Sequence, residues 1–198
     1  MKKYLSYPLS LLFYLCFGSL LVFFHGLQWI ALNTIGYTAQ KKSVDLLNFF
    51  ILRCLTLLGT RIKFEYESPL PENCSLIFVA NHQSTYDIPP LIWELRAYHA
   101  KFVSKKELGK GIPSVSFNIR HGGSVMIDRK KPKEALELIE SFGVRLAKSN
   151  HSVIIFPEGT RSKTGKMKKF HRSGLITLFK TMPQAKIVPV SIQNSWKF

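Results

Sequence analysis

Acidic residues are scarce in this chain of 198 residues: 12 Asp and Glu stand against 28 Lys and Arg, a formal net charge of +16. A balance this basic points to anionic partners, whether phosphate groups, nucleic acid or an anionic lipid surface. Cysteine is scarcer still. Cys16, Cys54 and Cys74 stand far apart with no Cys-x-x-Cys pair, which excludes a disulfide scaffold and leaves them as small apolar residues. His82, His99, His121, His151 and His171 show no ligand-type spacing with cysteines or carboxylates, so no metal centre is expected. Internal repeats, low-complexity tracts and long linkers are also missing, while 46% of the residues are apolar. That composition fits one folded domain with an appendage.

Charge of either sign is absent from residues 4–40, a stretch of 37 residues between Lys3 and Lys41. Its most apolar part, LSLLFYLCFGSLLVFF at 9–24, approaches the roughly 20 residues needed to cross a hydrocarbon core. The whole stretch is longer than one span and short for two with a turn. It therefore reads as a single tilted span or a shallow re-entrant hairpin. Large side chains follow the apolar run, in FHGLQWIAL, which argues against a cleaved signal peptide. Lys2-Lys3 and Lys41-Lys42 put positive charge at both ends and leave orientation open. Beside such a segment, phospholipid is a more economical partner for the basic excess than nucleic acid, which has no zinc finger, helix-turn-helix spacing or aromatic-interleaved basic stripe in its favour.

The composition shifts near residues 58–61, dividing the chain into an N-terminal membrane-associated helical segment, 1–60, and a second domain, 61–198. A helix is expected from 43 to about 58, closed by Gly59. Beyond it, short apolar runs at 62–67, 76–80, 101–104, 124–127, 153–156 and 187–192 read as strands, and 88–98, 132–147 and 171–181 as helices. Strands alternating with helices predict an α/β layered domain, with chemistry placed in the loops at strand ends.

Two such loops carry suitable residues. The run SLIFVA leads directly into Asn81-His82-Gln83-Ser84-Thr85-Tyr86-Asp87, followed by Ile88-Pro89-Pro90. On one regular helix, five residues would separate His82 and Asp87 by about 140°, but across a strand-to-helix turn they can converge. A carboxylate on one imidazole nitrogen fixes the tautomer and stabilises the imidazolium that forms when the other nitrogen takes a proton. With no Gly-x-Ser-x-Gly elbow in the sequence, the pair suits a general base acting on a substrate hydroxyl rather than a covalent enzyme intermediate. The second loop, Phe156-Pro157-Glu158-Gly159-Thr160-Arg161-Ser162, follows the run SVIIF, and such a turn can aim Arg161 and backbone N–H groups at an anion. In isolation it also reads as an ordinary turn carrying a Glu158–Arg161 surface pair.

Together these blocks resemble the glycerolipid acyltransferases of the 1-acyl-sn-glycerol-3-phosphate acyltransferase family. NHQSTYD resembles the family's His-x4-Asp block and FPEGTRS its Glu-Gly-Thr-Arg block; GGSVMIDR (122–129) and IVPVSI (187–192) resemble the second and fourth blocks in order and spacing. The resemblance implies a glycerolipid-acyltransferase-like fold, a mixed, mostly parallel sheet flanked by helices, with an N-terminal apolar membrane-associated helix or helical hairpin. It implies transfer of a fatty acyl group from acyl-CoA or acyl carrier protein to the sn-2 hydroxyl of lysophosphatidic acid, giving phosphatidic acid, with no cofactor beyond the acyl donor. By position His82 matches the family's general base and Asp87 its orienting carboxylate. Glu158, Gly159, Thr160 and Arg161 match the acceptor-binding loop, Arg129 the arginine of the second block, and Lys105, in FVSKKEL, a basic residue near the acceptor phosphate. The expected partners are membrane lipid, the lysolipid and the acyl donor. The expected place is an inner or plasma membrane, with the site facing the cytoplasm. The same chemistry on another lysophospholipid or on glycerol 3-phosphate is the nearest alternative, and a non-catalytic membrane-anchored lipid-binding protein is one of a different class. The chain ends at Phe198, six residues past the fourth block, where members of the family commonly continue.

Overall fold

A computed structural model describes residues 2–197, with side chains from Ser6 onward. Most of the uncharged N-terminal stretch lies in one unbroken helix, α1 (Lys2–Thr34), and the chain turns back at once into α2 (Tyr37–Leu57), which takes the last four residues of the stretch. The turn is two residues long and needs Gly36, whose φ of 108° is closed to most side chains. The helices pack antiparallel: Phe13 lies with Leu52, Cys54 and Leu55, and Leu21 and Phe24 with Leu47 and Ile51. α2 thus begins at Tyr37, ahead of the expected position 43. Its inner face carries polar Gln40, Ser43 and Asn48, buried with Val44, Leu47 and Ile51, so an apolar count alone places its start too late.

The rest of the chain forms β1 (Leu76–Ala80), α3 (Ile88–Glu94), β2 (Lys101–Lys105), α4 (Val115–His121), β3 (Val125–Ile127), α5 (Pro132–Ser149), β4 (Val153–Ile155), α6 (Arg172–Thr181) and β5 (Lys186–Val190). The strands make one sheet in the order β3-β2-β4-β1-β5, and every pairing is parallel. Parallel sheets are covered on both faces, and the period of two sorts their side chains accordingly. Ile77, Val153, Ile155, Val125 and Ile127 pack under α5 and α6, against Ile139, Phe142, Leu146, Leu178 and Met182. Leu76, Phe78, Phe102 and Ile154 face the other way, onto Leu91 and Leu95.

Three expectations change in detail. Residues 62–67 form no strand: Ile62, Phe64 and Tyr66 alternate with charges as a strand would, yet they lie exposed beside the fold with no ladder to join. Tyr66 instead donates to Glu94 Oε1 at 2.5 Å. The helix expected over 88–98 ends at Glu94 and continues as a single 3-10 turn, Arg96–Tyr98, stopped by His99 in the left-handed region. The seven-residue α4 lies in a segment where no helix is expected.

The hairpin is fastened to the sheet domain along its length. Phe13 and Phe17 meet the ring of Tyr86 edge-on at 5.8 and 6.2 Å. Fully buried Gln28 donates to Ser114 Oγ at 2.6 Å, His25 Nδ1 accepts from the Ser114 N–H, and Phe49 packs on Trp93 at 4.9 Å. The opposite side of α1 exposes Leu11, Leu12, Leu15, Val22, Phe23, Trp29 and Ile30.

Candidate active site

In a parallel sheet all strands end at one edge, so the loops after β1 and β4, adjacent strands at the centre, are brought side by side. The first is shaped by its own sequence. Ser84 caps the 3-10 turn Thr85–Asp87, and the Asp87 carboxylate returns to the Ser84 N–H, a reciprocal capping box. Prolines 89 and 90 then start α3 without losing a needed donor. The box swings Asp87 back under His82. His82 Nδ1 lies 2.8 Å from Asp87 Oδ2, which also accepts from the Gln83 and Ser84 N–H groups at 2.7 and 2.9 Å.

Asp87 is 2% exposed. Burial alone would push its carboxyl up. The hydrogen bonds from His82 and from the Ser84 and Gln83 backbone, with the Ser195 hydroxyl nearby, outweigh that and hold it below the usual carboxylate range. Asp87 is therefore the anion of the pair, Nδ1 of His82 carries the proton, and Nε2 is left as the acceptor nitrogen. The imidazole is stacked on Phe156 with ring centroids 4.2 Å apart, which fixes its plane from the β4 loop.

Glu158 holds the two loops together. It is 2% exposed, and its oxygens accept from the His82 N–H and the Lys168 N–H, each at 2.9 Å. The Ser162 N–H adds a bond to the His82 carbonyl at 2.8 Å. Gly159, at φ 67°, turns its carbonyl toward the Arg129 guanidinium, which donates to it. Arg161 donates to Thr85 Oγ1, and Lys168 Nζ to the Arg161 carbonyl at 2.8 Å. Thr160 is exposed and makes no hydrogen bond among the described residues. The result is a His–Asp pair with a free imidazole nitrogen, flanked by two arginines at the mouth of the same strand ends.

Residues 61–193 match the family model described as acyltransferase. The chain belongs to the acyltransferase family. Among its relatives in that family, a 1-acyl-sn-glycerol-3-phosphate acyltransferase of Helicobacter pylori is 38% identical over 125 residues, covering 61% of this chain and 49% of that one. The enzyme of the same name from Cocos nucifera is 32% identical over 126 residues, 63% of this chain and 40% of its own. The chain thus spans half or less of the length of these two relatives. The crystal structure of the 1-acyl-sn-glycerophosphate acyltransferase PlsC of Thermotoga maritima superimposes with a TM-score of 0.72 at 28% identity, over 91% of this chain and 72% of that one.

Against this acyltransferase frame the other candidates fall into two groups. Arg129, Arg161, Gly159 and Glu158 gather with His82 and Asp87, whereas Lys105, at the end of β2, pairs with Glu107 at 3.1 Å and stands exposed. Sequence reasoning passes over Gln83, Ser84, Lys168 and Ser195. Ser84 was findable, since Ser-x-x-Asp before an apolar helix is a capping signature. Ser195 was not, because its partner Gln83 lies 112 positions away.

Proposed function

We propose that this acyltransferase moves a fatty acyl group from a thioester donor, acyl-CoA or acyl carrier protein, to the sn-2 hydroxyl of lysophosphatidic acid, forming phosphatidic acid. The observation that carries the reading is the His82–Asp87 pair at 2.8 Å beside the arginine-bearing turn of Glu158–Arg161. His82 Nε2 takes the hydroxyl proton as the oxygen attacks the thioester carbonyl, and Asp87 stabilises the imidazolium. The tetrahedral oxyanion needs a donor, for which backbone N–H groups of the two loops are available. The intermediate then collapses, the C–S bond breaks, and the proton held by His82 goes to the departing thiolate. Arg161 and Arg129 supply charge for the acceptor phosphate, with Lys105 further out; Gly159 and Thr160 shape that turn. Glu158 acts on the acceptor indirectly, since both its oxygens are spent on backbone N–H groups.

The lipid substrate also accounts for α1. Its 29-residue stretch Ser6–Thr34 is long and apolar enough to cross a membrane. Because one side of the helix is bound to α2, Tyr86 and Ser114, the reading favoured here is a hairpin lying in one leaflet. Its exposed apolar side would face acyl chains, with the catalytic loops at headgroup depth on the cytoplasmic side.

The test is an assay of detergent-solubilised protein with oleoyl-CoA or oleoyl-carrier protein and a panel of acceptors, run beside His82→Ala. Phosphatidic acid should form from lysophosphatidic acid, and His82→Ala should lose about 10²–10⁴-fold in kcat while still binding lysolipid. Unchanged turnover in the variant would overturn the mechanism, and product from another acceptor alone would move the assignment to that acceptor.

A further inference from the structure

The Asp87 carboxylate is served unevenly. Oδ2 takes three hydrogen bonds, whereas Oδ1 is buried and accepts none from the described residues. A buried anionic oxygen without a donor is costly, and a carboxylate with bonds on one oxygen alone is weakly held against rotation about its terminal torsion. The side chain positioned to supply that donor comes from the far end of the sequence.

After β5 the chain is tied to the catalytic loop twice over. Asn81 Nδ2 donates to the Ile192 carbonyl at 2.9 Å, and the Ile192 N–H returns a bond to Asn81 Oδ1 at 2.6 Å. Asn194, in the left-handed region, then folds the chain into the 3-10 turn Ser195–Lys197. Ser195 Oγ arrives 3.3 Å from Gln83 Oε1, long for a hydroxyl donor. Gln83 itself is held: its N–H binds Asp87 Oδ2, and its amide reaches the Gly165 carbonyl at 3.3 Å. The same Ser195 hydroxyl is close enough to Asp87 to help lower its carboxyl pKa.

We propose that Ser195 is a positioning residue of the acyltransfer site: its hydroxyl turns from the Gln83 amide oxygen to the free Oδ1 of Asp87, and so fixes the carboxylate plane that aims Oδ2 at His82. The function rests on the reading of His82 as the base; the geometry of the contact does not. The turn after β5 thereby becomes part of the catalytic apparatus, acting on the imidazole through one carboxylate.

The experiment compares wild type, Ser195→Ala and Ser195→Thr in the full detergent-solubilised chain, with ¹⁵N-histidine spectra of the His82 Nδ1–H proton alongside kcat, acceptor KM and Tm. Ser195→Ala should displace the Nδ1–H resonance and lower kcat about 3- to 10-fold, less than a full charge-assisted hydrogen bond because Ser195 acts on the imidazole only through Asp87, with KM unchanged and Tm lowered slightly. Ser195→Thr should restore both. A resonance and kcat at wild-type values in Ser195→Ala would overturn the proposal, as would a loss that tracks Tm and is not restored by threonine. An inactive wild type would refute the acyltransfer reading alone, because the resonance still decides whether Ser195 positions the pair.

Discussion

Replacing Glu158 by alanine separates two roles open to it, contact with the acceptor proposed above and a latch between the two loops. If its carboxylate met the acceptor, the variant would raise KM and leave the fold intact. The structure instead gives it two bonds to backbone N–H groups, of His82 and Lys168, in a side chain 2% exposed. Hydrogen bonds to a charged group are each worth about 1.5–3 kcal/mol, so Glu158→Ala should cost about 3–6 kcal/mol, and it leaves two donors unpaired. For a chain of this size each kcal/mol lowers Tm by about 2–4 °C, which places the loss at about 6–24 °C. Because one of the two N–H groups belongs to His82, the remaining folded enzyme should lose kcat more than acceptor affinity. Thermal unfolding in detergent, read with kcat and KM for lysophosphatidic acid below the new transition, tests both halves. A variant with wild-type Tm and kcat but a raised KM would refute the latch and return Glu158 to the acceptor.

Two further outcomes follow from buried charges. Asp87 has a lowered folded-state pKa, so its stabilisation is complete above the unfolded value of about 3.9 and is lost as pH falls through the folded one. Asp87→Asn should therefore be less stable than wild type at pH 7, with the gap narrowing as pH falls below about 4 in urea titrations; a gap independent of pH would count against the ionised pair. Lys101 is 6% exposed at the start of β2, donates to the Tyr37 hydroxyl, and is pushed down to about 8 by burial first and then by Lys41 and Arg145, against Asp45. Between about 8 and 10.5 the unfolded lysine keeps a proton that the folded one has released, so wild-type stability should rise with pH across that window. Lys101→Met should be more stable than wild type by about 1–3 kcal/mol at pH 7, with the advantage fading by pH 10, and a less stable variant at pH 7 would refute the cost assigned to the buried ammonium.

The sheet was readable because β1, β4 and β5 are short apolar runs between turn signals, and α5 because its apolar residues recur at helical spacing over eighteen positions. The strand expected at 62–67 shows the limit of that reasoning: period two states which face a strand would bury, and an edge to pair with is a property of the whole fold. The loops divide in the same way. His82 and Asp87 were legible from their place at a strand end and a helix start, since the pair interacts within six residues, while the Ser84 cap that joins them was passed over. Glu158 was visible as a residue, while the direction of its carboxylate depended on the N–H of Lys168, which only the folded loop presents. For the N-terminal stretch, missing charge marked α1, and the buried polar face of α2 concealed how early the second helix begins.

The strand order carries a consequence for how the molecule comes to exist. β1, the strand that delivers His82, touches no strand near it in sequence; its neighbours begin at Val153 and Lys186. Synthesis must run more than seventy residues past Ala80 before the first of them is available, and loop closure over such separations is slow. During that interval the hairpin of α1 and α2, which closes locally across a two-residue turn, is the part able to form first. The order of events is thus written into the connectivity: the hairpin first, the sheet next, and the strand that carries His82 settled last, when both of its distant neighbours have arrived.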